Sequence, residues 1–254
     1  EYVARLGKSI VRLNQRGTNL RGKLSGAVGA YNATALLVDD PEELEVAVLR
    51  RLELKPSESS TQIVEPEYLL GALIELNIMF GIIANLADDL RHLQRSEIEE
   101  VRESFGVSQV GSSTMPQKRN PDFAELARGK TGRVYGSLLS LLTTLKGLPL
   151  TYNRDLQEDK EGFFDTVDTL LPTLEIFSGM MSSAQFNKER MRQAAEDSYV
   201  LATDLADYLV SKGVPFREAH GVMARMADYA ASQRKLFSDL TLEEYRQFSS
   251  KFDE

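Results

Sequence analysis

The segment Gly111-Ser112-Ser113-Thr114-Met115-Pro116-Gln117-Lys118-Arg119-Asn120-Pro121 concentrates groups suited to acid–base chemistry on an anion. Two adjacent hydroxyls follow a glycine. Lys118, Arg119 and Asn120 then supply cations and an amide donor within one short stretch. Glycine and proline take the segment out of any regular helix, and loops held by a rigid scaffold carry function disproportionately. The chain re-enters a helix at Pro121-Asp122, and a helix N-terminus favours negative charge. Read this way, the segment is an anion site with a hydroxyl beside it. The same residues also suit a solvated loop with a proline-led helix start. Residue types alone leave both readings open.

The rest of the chain must position that loop, and it reads as helix almost throughout. Residues 1–20 carry Val3, Leu6, Ile10 and Leu13 at helical spacing. Residues 22–33 are rich in glycine and small side chains and read as a loop or tight turn. A helix starts at Pro41 after Asp39-Asp40 and runs to about 52. Residues 54–65 are polar and irregular. One long helix is expected from Pro66 to about Val101, apolar on most faces, as for the middle of a bundle or an oligomer core. The loop 103–121 follows, then a helix over 122–146. Another helix, 157–181, carries Pro172, which should kink it. Asn187 reads as an N-cap, and shorter amphipathic helices follow at about 187–212, 215–233 and 241–249. Gly213-Val214-Pro215 stops one and restarts the next. The expected organisation is a central helical-bundle domain over 1–185 and a small helical domain over 186–254.

Composition sets the outer bounds. The chain has 254 residues, enough for one large or two smaller domains with a buried core. A net charge of −8 disfavours nonspecific binding to nucleic acid or anionic membranes, yet leaves room for a local basic pocket. There is no cysteine, which excludes disulfides and cysteine-held metals and fits a cytoplasmic protein. Charges interrupt the longest apolar stretches, so no membrane span is expected.

The string GSSTMPQKRNP resembles the signature loop of the aspartase/fumarase superfamily, G-S-S-x-M-P-x-K-x-N-P, at every fixed position. Downstream, Asp122 to Gly136, Thr151 to Glu161, Ala202 to Val210 and Gly213 to His220 are similar to the argininosuccinate lyase branch. The front third departs: Gly22 to Gly29 and Ser60-Thr61-Gln62-Ile63 are closer to the adenylosuccinate lyase branch. The resemblance implies an all-α fold whose long helices assemble into a tetrameric core. It implies elimination of fumarate from an N-substituted aspartate, argininosuccinate to arginine plus fumarate, with adenylosuccinate or another amino-succinate as the alternative. It also implies a small-molecule substrate, no cofactor, no metal and active sites shared between subunits.

Residue by residue, the resemblance makes Ser112 the base that removes the proton beside a carboxylate. A serine hydroxyl is a poor base, so it needs electrostatic help of the kind Lys118 could give. Lys118 and Asn120 stabilise the aci-carboxylate that forms, where charge develops in the transition state. Glu125 orients a histidine of another subunit. Ser113, Tyr152, Gln157 and Lys160 hold substrate, and Gln62 matches a substrate-binding glutamine of the adenylosuccinate branch. Read without that match, Gln157 and Lys160 are simply polar residues on one helix face, and Gln62 marks a helix entry.

Only two histidines occur, His92 and His220, and neither lies in the family's histidine motif. Both read as surface or packing residues. The motifs the family places upstream are absent, and residues 248–254 read as mid-domain sequence. The chain is therefore expected to be a fragment that is inactive by itself, and a purely structural helical oligomer is a further alternative.

Overall fold

The computed structural model describes residues 1–104, 114–115, 117–196 and 198–253. Nine α-helices, four short 3-10 helices and four two-residue strands account for the regular structure of these residues. They divide into two compact units, one of Glu1–Ser96 with Val101–Gln185 and one of Glu97–Glu100 with Phe186–Glu254.

The first unit is built round α3, Glu67–Leu93, against which α1 (Tyr2–Gly17), α4 (Asp122–Leu145) and α5 (Glu161–Ser183) all pack. Leu76, Phe80, Ile83, Ala87 and Leu90 of α3 meet Ala124, Ala127 and Val134 of α4 and Leu170, Phe177 and Met180 of α5. Small residues on α4 let it approach the bulkier α3 side chains closely. At 1.5 Å per residue α3 is about 40 Å long, shorter than the helix expected to reach Val101. It stops at Gln94 because the polar run that follows cannot extend an apolar face, and Glu99 adopts φ +54°. By length and composition alone α3 falls in the range of a membrane span, a test that the buried core helix of a soluble protein also passes. Its place at the centre of the unit, with Glu75 and Asn77 buried in it, accounts for that apolarity.

The face of α1 also differs from the expected stripe. Leu6 and Leu13 pack on the core, while Val3 and Ile10 are exposed. The buried residue between them is Ser9, whose hydroxyl accepts from the Arg12 guanidinium at 3.0 Å. Arg12 Nε also reaches both oxygens of buried Glu75 on α3 at 2.9 Å. Burial of a carboxylate needs such a partner, so an ionic contact holds this helix where apolar spacing alone predicted a stripe.

Strand β1 (Arg21–Gly22) pairs in parallel with β2 (Lys55–Pro56), with α2 (Pro41–Arg51) between them in sequence. Asp40 caps α2 by accepting the Glu43 amide at 2.8 Å. Pro172 lies inside α5 and removes one backbone donor there.

The second unit holds α6 (Lys188–Glu196), α7 (Ala202–Ser211), α8 (Phe216–Gln233) and α9 (Leu242–Phe248). Leu209, Met226 and Phe237 are fully buried in its core. The expected helix over 187–212 is broken at Ser198–Leu201, which forms a 3-10 turn. Asn187 accepts the Arg190 amide at 3.1 Å, and Gly213 takes φ +88° to end α7.

Candidate active site

Ser112 and Ser113 lie outside the described residues. Lys118, Asn120 and Glu125 flank the start of α4. The Lys118 amide closes a turn on Met115 at 3.0 Å, its side chain is exposed, and Asn120 is half-buried. Glu125 sits in the first turn of α4 with an exposed carboxylate.

The N-terminus of α4 is not an open anion site. Pro121 stands at the N-cap and offers no side-chain acceptor. The Glu103 carboxylate fills that role, accepting the amides of Ala124 at 2.9 Å and Phe123 at 3.3 Å. Burial pushes the Glu103 carboxyl above the usual range, and the two amides pull the other way. The protein's own negative charge therefore meets the positive end of the helix.

Behind Glu125 lies a polar cleft lined by Arg91, Glu125, Arg128 and Gly129. Asp88 on α3 holds both arginines: Arg91 Nη2 at 3.1 Å and Arg128 Nη1 at 2.9 Å. The Arg91 hydrogen bond, and then the charges of Arg128 and Arg91, hold the Asp88 carboxyl below its ordinary range. Both guanidiniums are thus engaged away from Glu125, whose side chain makes no hydrogen bond or ion pair among the described residues. His92 Nε2 is 3.8 Å from Asp88 Oδ2, and the ring is half-exposed. His220 is exposed with its ring 6.4 Å from that of Phe216.

Tyr152 and Gln157 are in direct contact, Gln157 Nε2 donating to the Tyr152 hydroxyl. Gln157 belongs to a 3-10 turn, Arg154–Glu158, and not to α5 as its spacing suggested. Lys160 stands at the N-cap of α5, its ammonium 2.8 Å from the buried Asp159 carboxylate. Thr151 takes φ +73°, which turns the chain into this loop.

Gln62 is exposed on the segment 57–65, whose ends are tied by the Ser57 hydroxyl donating to Glu65 at 2.8 and 3.0 Å. Gly29 lies against the carbonyls of Ser60 and Thr61. The buried Glu45 fixes the glycine-rich side, accepting the Leu24 amide and the Tyr31 hydroxyl, the latter at 2.5 Å. That bond pushes the Tyr31 phenol up to about 12. The two front segments therefore pack as one local unit. No group of three potential metal ligands occurs among the described residues.

Asp88, Arg91, Arg128 and Glu103 did not stand out in the sequence. The spacing of Asp88, Arg91 and His92 by three and four positions on one helix carried a signal. Glu103 gave none, because its partners lie some twenty residues away.

A family model described as "Lyase" matches residues 1–136, and one described as "Argininosuccinate lyase C-terminal" matches residues 199–254. The chain belongs to the lyase family, within the aspartase/fumarase superfamily. Inside that class it is similar to argininosuccinate lyases. It is 64% identical over 189 residues to the argininosuccinate lyase of Dehalococcoides mccartyi, which covers 74% of this chain and 41% of that one. It is 54% identical over 196 residues to the one from Syntrophus aciditrophicus, covering 77% and 41%. The chain spans about two fifths of the length of these curated relatives. Among solved structures it superposes on 3-carboxy-cis,cis-muconate lactonizing enzyme from Pseudomonas putida with a TM-score of 0.78 at 21% identity, covering 99% of this chain and 55% of that one. EDDS lyase in complex with formate superposes with a TM-score of 0.59 at 25% identity, covering 72% and 36%.

Proposed function

We propose that the chain is part of a lyase that cleaves argininosuccinate to arginine and fumarate. The observation that carries this reading is the intact GSSTMPQKRNP segment inside the residues matched by the lyase family, in a chain 64% identical over 189 residues to an argininosuccinate lyase. In this reading the Ser112 oxygen takes the proton from the carbon beside a carboxylate. The electron pair moves into that carboxylate, which Lys118 and Asn120 stabilise as it gains charge. The pair then returns to form the fumarate double bond as the C–N bond breaks; the bonding electrons go to the guanidino nitrogen, which is protonated by a general acid of the assembled site or by water. Glu125, left unpaired by the Asp88 network, orients a histidine of another subunit. Ser113, Tyr152, Gln157 and Lys160 hold the substrate.

Shared sites require an oligomer, and we take it to be a homotetramer in the cytoplasm. An exposed apolar groove of Ile74, Ile78, Tyr135, Leu139 and Leu142, formed by α3 and α4, supports the association of subunits at this face. So does Asn77 beside it, whose buried Oδ1 has no hydrogen-bond partner while its Nδ2 donates to Leu73 O at 2.8 Å. A buried acceptor left open is costly unless something satisfies it.

A second reading keeps the chemistry and changes the amine. The packed unit of residues 22–31 and 57–65, which carries the adenylosuccinate-branch resemblance, favours it. Fumarate release, followed by ultraviolet absorbance with argininosuccinate and adenylosuccinate in parallel, separates the two. Release from argininosuccinate alone is expected, and release from adenylosuccinate alone would make the front unit the better guide.

A further inference from the structure

The first turn of a helix leaves four amides without intrahelical partners. In α4 two of them, on Phe123 and Ala124, are bound by the forked carboxylate of Glu103, one oxygen to each. The backbone of Glu103 is itself fixed, because its amide donates to Gln94 Oε1 at 2.8 Å. Gln94 is the residue that ends α3. An unbroken path of hydrogen bonds thus runs from the end of α3 through Gln94 and Glu103 to the start of α4. The chain between Glu103 and Asp122 contains the whole signature segment. Glu103 is half-buried, and burial disfavours its charge. A glutamate serving only as loop polarity would stay in water, where its charge is best solvated.

We propose that Glu103 is a positioning residue for the lyase site: its carboxylate clamps the first turn of α4 to the end of α3. The clamp fixes where the chain that carries Lys118 and Asn120 enters the helix and where Glu125 projects from it. The proposal rests on the roles given above to those three residues. Glu103 touches no substrate in this scheme. Its charge is set against the helix end, where it occupies the amides of Phe123 and Ala124.

Glu103→Ala and Glu103→Gln test it, read by amide hydrogen exchange and by trypsin cleavage after Lys118 and Arg119, both without substrate. Loss of the cap in Glu103→Ala should speed exchange at Phe123 and Ala124, and cleavage, by about fivefold. The buried α4 positions Val134 and Leu141 should exchange as before. Glu103→Gln keeps one of the two acceptor oxygens and should recover protection at one of the two amides, leaving it between the parent and Ala. In the same protein, kcat for fumarate release should fall by about tenfold in Glu103→Ala with KM nearly unchanged. Unchanged exchange in Glu103→Ala would overturn the proposal. So would faster exchange along all of α4, which marks general destabilisation, or a Glu103→Gln variant no better than Ala, or an unaltered kcat. A protein that releases no fumarate but keeps Glu103-dependent protection would count against the functional reading and leave the clamp standing.

Discussion

Arg128 on α4 donates to Asp88 on α3 at 2.9 Å, and Arg91 donates to the same carboxylate oxygen at 3.1 Å. Arg128 stands three residues after Glu125, on the same helix face. Without Asp88 its nearest acidic partner on that face is Glu125. If Glu125 orients a histidine as proposed, Asp88→Asn should lower kcat by about tenfold, by drawing the guanidinium onto that carboxylate. A second substitution, Arg128→Gln, should restore part of the rate. The pair is exposed, so the thermal midpoint should barely move. Steady-state kinetics of the two variants check this, and loss of rate without recovery in the double variant counts against it.

Arg12 is the partner of Glu75, whose side chain is 5% exposed. Removing the arginine strands a buried carboxylate. Arg12→Ala should cost about 3 kcal/mol in urea unfolding, while Arg12→Ala with Glu75→Leu should regain most of it. Equal losses in both variants would mean the ion pair is not what holds α1.

Gly29 has φ +74°, and a Cβ there would run into the Ser60 carbonyl and lie 2.9 Å from the Thr61 carbonyl. Gly29→Ala should cost about 1–3 kcal/mol and displace the segment bearing Gln62. If Gln62 holds substrate, KM rises. If stability falls and KM does not, Gln62 is a loop residue only.

Glu244 in the second unit accepts from Lys235 at 2.7 Å, the Thr241 amide at 2.8 Å and the Tyr229 hydroxyl at 2.9 Å. Led by the Lys235 bond, these hold its carboxyl down to about 2. A depressed acid contributes stability above its unfolded value near 4.5, and loses it as pH falls through the folded value. The stability difference between the parent and Glu244→Gln should be constant above pH 4.5 and shrink between 4.5 and about 2. A difference independent of pH in that window would remove Glu244 from the acid response.

The helices were legible wherever apolar spacing and caps agreed, as at Asp40, Asn187 and Gly213. They were misread where an ionic or backbone contact replaced that pattern. Ser9 is buried because Arg12 and Glu75 meet beside it, and Val3 and Ile10 are exposed in consequence. The helix expected to reach Val101 ends at Leu93 because the polar run after it has no face to bury. For the proposed site, Lys118 and Asn120 stand in one local string, and Glu125 follows it as a residue that only the family resemblance singles out. Glu103 and Asp88 act on α4 from outside it, across 21 and 40 positions, and single-sequence spacing carries no trace of such contacts.

The most direct test of the lyase reading is fumarate release from argininosuccinate, by the protein at the length its gene encodes and by its Ser112→Ala variant. The account predicts release by the parent and a loss of about a thousandfold or more in the variant, with the fold and oligomer unchanged. Equal rates in the two proteins would contradict it, because the signature segment would then hold the chain's structure and not its chemistry.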